Sequence, residues 1–88
     1  MTEQRMTLHT AYPTSLADEG VAAVVHASAL EAAERHGVTS LNVVMHDDRV
    51  ELIAPLPPAV LLALATHLRR TTGRWHQAKF GVALWRGE

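Results

Sequence analysis

Arg69-Arg70, Arg74-Trp75-His76 and Lys79 set basic charge beside an indole within eleven residues. Guanidinium and ammonium groups meet phosphates, and bases stack on an aromatic ring, so Arg69, Arg70, Arg74, Trp75 and Lys79 form a candidate site for nucleic acid or a phosphate ligand. Helix-end charge and solubility account for the same residues without a ligand. His46-Asp47-Asp48 puts nitrogen and oxygen donors in a row. Neighbours on a tight turn do not converge on one ion, and neither His-x-x-x-His nor His-x-His occurs, so no metal and no other cofactor is expected. Ser15, Ser28 and Ser40 are the serines, and none sits in a glycine-flanked elbow. The glycines Gly20, Gly37, Gly73, Gly81 and Gly87 are scattered, so they make no phosphate loop. Cysteine is absent, which excludes disulfides, thiolate metal sites and a cysteine nucleophile. His9, midway along an alternating segment, is the residue best placed for acid–base work, in a pocket shared with Trp85.

These groups sit on a chain of divided charge. Leu52 to Gly87, 36 residues, contains no Asp or Glu and carries Arg69, Arg70, Arg74, Lys79 and Arg86. The part through Glu51 carries eight carboxylates against three arginines, so a formal net charge of −1 conceals halves of opposite sign. Eighty-eight residues with 48% hydrophobic and 19% charged content predict one folded domain over residues 1–88, with a core small enough to gain from a second copy. The longest apolar run, Leu52 to Ala65, is fourteen residues and contains Pro55, Pro57 and Pro58. A helical span needs about 20 residues, so no membrane segment is expected. Met1 to Arg5 is polar with no apolar stretch behind it, and the expected location is cytoplasmic.

The elements that must position these residues follow from periodicity. Met6 to Tyr12 alternates, with Met6, Leu8 and Tyr12 opposite Thr7, His9 and Ala11, and Pro13 ends it: a strand. Thr14 or Ser15 offers a helix cap, and Ser15 with Asp18 has capping-box spacing. A helix from about Leu16 to His36 follows, with Val21, Val24, Val25, Ser28 and Ala32 on one face and Gly37 closing it. Ser40 to Met45 and Val50 to Ala54 form a hairpin about Asp47-Asp48. Met45 then faces Val50, Val43 faces Leu52, and Leu41 faces Ala54 on one side. His46–Arg49, Val44–Glu51 and Asn42–Ile53 lie on the other. Pro58 to about Thr72 is a second helix with a stripe of Val60, Leu61, Leu64 and Leu68, and Gly73 ends it. Trp75 to Trp85 alternates as a last strand, with Gly81 as a candidate bulge.

That order, βαββαβ, predicts an α+β ferredoxin-like two-layer sandwich: a four-stranded antiparallel sheet with both helices on one face. Its open face would carry His9, Val44, His46, Ile53, Trp75 and Trp85. Two tryptophans, a valine and an isoleucine are more apolar surface than a bare sheet keeps without a partner. An RNA-recognition sheet carries aromatics on its central strands, where this chain offers His9 and Glu51. The expected role is therefore a small non-catalytic domain acting through homodimerisation or protein interaction at the open face. The alternatives are nucleic-acid or phosphate-ligand binding at the Arg69–Lys79 cluster, and a small enzyme with a pocket near His9 and Trp85.

Overall fold

The hairpin is the centre of the molecule. In the computed structural model, which describes residues 2–87, β2 (Asn42–Met45) and β3 (Arg49–Ala54) pair antiparallel with Met45 opposite Val50, Val43 opposite Leu52, Val44 opposite Glu51 and Asn42 opposite Ile53. This is the predicted register, although β2 starts at Asn42 and not Ser40, so the predicted Leu41–Ala54 pair lies outside the ladder. A two-residue turn at Asp47-Asp48 is its geometric consequence, and the His46 amide donates to the Arg49 carbonyl at 2.9 Å to close it. β1 (Gln4–His9) pairs antiparallel with the other edge of β3, so the sheet order is β1-β3-β2.

Alternation decides the faces. Met6, Leu8, Val43, Met45, Val50 and Leu52 join one hydrophobic cluster with residues of both helices. The first helix, α1 (Glu19–Arg35), starts later than predicted. Ser15–Ala17 is a separate turn of 3₁₀ helix that buries Leu16, and Asp18 is the cap, its carboxylate accepting from the Val21 amide at 3.1 Å. The buried stripe of α1 is Val21, Val25, Ala29, Ala32 and Ala33. Its small side chains let the helix lie close to α2, as a stripe without bulk requires. Gly37, at φ 70°, ends it in the left-handed conformation, and the Val38 amide reaches back to the Ala33 carbonyl at 2.8 Å.

The C-terminal third departs from the predicted architecture. Among the described residues there is no fourth strand: α2 runs Pro58–Phe80, through the predicted stop at Gly73 and through most of the predicted strand. The four-stranded ferredoxin-like sheet is therefore incorrect, and the fold is a three-stranded antiparallel sheet with two helices in the order β-α-β-β-α, the 3₁₀ turn preceding α1. The physical reason is the stripe. Leu61, Leu64, Ala65, Leu68, Thr72, Gly73 and His76 recur at helical spacing and are all buried. One interior glycine costs about 1 kcal/mol of helix propensity, less than the burial that the continued stripe secures. Gly81, at φ 75°, is the true stop, its amide donating to the Gln77 carbonyl at 2.9 Å. A helix of 23 residues is about 35 Å long at 1.5 Å per residue, in a molecule whose longest extent is 39 Å.

What remains of the predicted strand is a single bridge, Thr10 opposite Trp85. The Ala11 amide donates to the Leu84 carbonyl at 2.8 Å, and the Arg86 amide to the His9 carbonyl at 2.9 Å. The Thr10 amide points the other way, to the Asp48 carbonyl at 2.9 Å, so the tail lies on the outer edge of β1. Leu84 and Trp85 are buried there against the core. Trp85 Nε1 donates to the Thr72 hydroxyl at 2.9 Å, which donates to the Leu68 carbonyl at 2.6 Å, tying the tail to α2.

Candidate functional site

The face of the sheet turned away from the helices collects Arg5, Thr7 and His9 from β1, Asn42 and Val44 from β2 with His46 beside it, and Arg49, Glu51 and Ile53 from β3. Of the predicted open-face residues, His9, Val44 and His46 are here, with Ile53, which is only 7% exposed and offers a partner little surface. Trp75 and Trp85 are not, because the segment predicted to present them as a strand is the end of α2 and a single bridge. Trp85 is 1% exposed, in the core. Trp75 is half-buried on α2, edge-on to Phe80 at 6.0 Å between ring centroids. The open face is accordingly more polar than predicted.

Its centre is a charge-paired group on the middle strand. Glu51 Oε2 accepts from His46 Nε2 at 2.7 Å, and Glu51 Oε1 accepts from Arg5 Nη1 at 3.1 Å. The Glu51 side chain is only 16% exposed, so both oxygens are committed to these two neighbours. The His46 hydrogen bond, with the Arg5 charge behind it, holds the Glu51 carboxyl below its ordinary value. At the hairpin tip, the hydrogen bond from Arg49 at 2.8 Å holds Asp48 below its ordinary value in the same way. The Asp47 carbonyl accepts from the Leu16 amide at 2.9 Å. The His46 and Asp48 side chains thus serve different partners, and among the described residues no three His, Cys, Asp or Glu side chains gather.

The basic cluster is spread around a helix instead of lying along a strand. Arg69 Nη2 donates to the Arg86 carbonyl at 2.6 Å and fastens the tail. Arg70 and Arg74, four residues apart, share an exposed face of α2. Trp75 is turned away from that face by the helical period, and Lys79 Nζ lies 5.5 Å from its ring centroid and 5.6 Å from that of Phe80. The five residues do not converge on one surface.

One grouping escaped the sequence. Ser15, Asp18 and His76 line the same hollow of about 260 Å³, with Tyr12, Phe80 and Val82 at its apolar side. Nucleophile, carboxylate and imidazole come together only because α2 extends past Gly73 and carries His76 under the 3₁₀ turn; nothing in their spacing announces it. Each is otherwise engaged or unlinked: His76 Nδ1 donates to the Val82 carbonyl at 2.9 Å, Asp18 caps α1, and among the described residues no hydrogen bond joins Ser15 to His76. The hollow lacks the nucleophile–base bond that acyl transfer needs. His9 and Trp85 line neither it nor the two larger hollows along α2.

No protein-family model matches this chain, and no curated protein matches it in sequence.

Proposed function

We propose that this chain is a non-catalytic interaction domain that works by associating with another copy of itself through the sheet. The observation that supports it is a sheet finished on one side only. Both helices cover the same face, and the C-terminal tail takes the outer edge of β1, while among the described residues no other element lies on the open face or along the outer edge of β2. The open face suits a protein partner. Its central charges are already paired within the face, at Arg5–Glu51–His46, so contact would not bury an unpaired charge. Val44 and Thr7 add half-buried apolar surface beside them. A core of this size gains stability from association, by mass action.

Light scattering across about 1–100 µM protein, a range where weak dimers of small domains dissociate, tests this directly. The expected result is a mass rising toward twice that of the chain. A single-chain mass throughout would overturn the proposal.

A further inference from the structure

Backbone groups of an edge strand alternate in direction, and the ladder with β3 fixes which ones of β2 point outward. The His46 amide donates to the Arg49 carbonyl, so His46, Val44 and Asn42 direct their N–H and C=O groups toward β3. Val43 and Met45 direct theirs away from the sheet. Among the described residues nothing pairs with them. Edge strands in isolated proteins are blunted by shortness, charge, proline, a bulge or a covering segment, and of these β2, at four residues, has only its shortness. The β1 edge has its covering tail. Asn42-Val43-Val44-Met45 contains no charged residue and no proline.

We infer that the partner is a second copy paired β2 to β2, antiparallel, with a two-fold axis at Val44; this rests on the self-association proposed above. One register places both outward-pointing residues of the strand opposite each other: Val43 against Met45 of the second copy, and Met45 against Val43. Each of these pairs exchanges both its N–H···O bonds. Shifting the axis to Val43 or to Met45 pairs one outward residue with itself and carries the other past the end of the partner strand. The favoured register is also self-complementary in side chains. Val44 meets Val44 on the open face, Val43 meets Met45 on the helix side, and Asn42 meets His46, so no like charges are opposed. The two three-stranded sheets become one, and the open faces of the two copies become continuous.

The chain has no cysteine, so one introduced thiol reports one position. Residues opposite each other in a non-hydrogen-bonded pair lie about 4.5 Å apart between Cα atoms, within the range of about 4.4–6.8 Å that a disulfide spans. Under diamide, Val44→Cys should form a disulfide-linked dimer. An equimolar mixture of Asn42→Cys and His46→Cys chains should cross-link to each other. Asn42→Cys alone should not, because its two copies are more than about 13 Å apart in this register. Val44→Lys should shift the monomer–dimer equilibrium at least about tenfold toward monomer, with circular dichroism unchanged, since it opposes like charges on the axis. If the wild type dimerises but Val44→Cys fails to link, or Asn42→Cys links as well as Val44→Cys, this register is wrong and the self-association reading stands. If the wild type is monomeric and Val44→Cys does not link, both fall.

Discussion

Glu51 shows how one side chain acquires a role from its strand neighbours. Sequence alternation puts it on the open face, opposite Val44. The hairpin register brings His46, five residues away, to one side of it, but only the sheet order brings Arg5 of β1, 46 residues away, to the other. The pairing has a pH signature. A carboxyl whose folded value lies below its unfolded value contributes stability that is complete above its ordinary value of 4.5 and is lost as the pH falls through the lowered folded value. The wild-type melting temperature should therefore fall more steeply than that of Glu51→Gln between about pH 5 and pH 3. Asp48, also held low by Arg49, is present in both proteins and cancels in the comparison. Parallel slopes would mean that Glu51 is not paired in solution. Trp85 illustrates the opposite case. Its type marked it as important, but its phase in a presumed strand pointed it at solvent, whereas the chain buries it and bonds its indole to Thr72.

The hairpin and α2 contrast at the scale of the element. The hairpin was legible because two apolar runs of matching length flank a two-residue turn, and one register alone keeps all apolar pairs on one face. α2 was half legible. Its start at Pro58 and its leucine stripe were read correctly, but Gly73 carries the same letter whether it ends a helix or lets one pack closely. The alternation of Ala78, Phe80, Val82 and Leu84 then imitated a strand. Buried Thr72 and His76, at four-residue spacing beyond Leu68, were the signal that could have revealed the continuation. Proline discriminates the two. Ala78 is exposed and inside α2, so Ala78→Pro loses a helical hydrogen bond and clashes with the preceding turn, at a cost of about 3 kcal/mol in urea denaturation. A change below about 1 kcal/mol, as an exposed strand edge tolerates, would place that segment outside a helix.

For the whole molecule, the division of charge along the chain turns into α2 and its tail on one hand, and the hairpin tip and the flanks of α1 on the other. An interface built on that division would weaken with salt, because exposed charges are screened within about 8–10 Å at physiological ionic strength. The β2 edge is uncharged, so the dimer dissociation constant should change less than about threefold between about 0.05 and 0.5 M salt. A steep loss of association with salt would move the interface to the charged surfaces. The sequence by itself determined the elements whose reasons are local: the existence and phase of the first strand, though it spans Gln4–His9 and not Met6 to Tyr12, both helix starts to within a few residues, and the hairpin register, and hence which of the three strands' residues share each sheet face. Tertiary structure alone decided where α2 stops and where Leu84 and Trp85 go. A glycine's cost in a helix is small beside the burial of a continuing stripe, and that burial depends on α1 and the sheet lying beneath it.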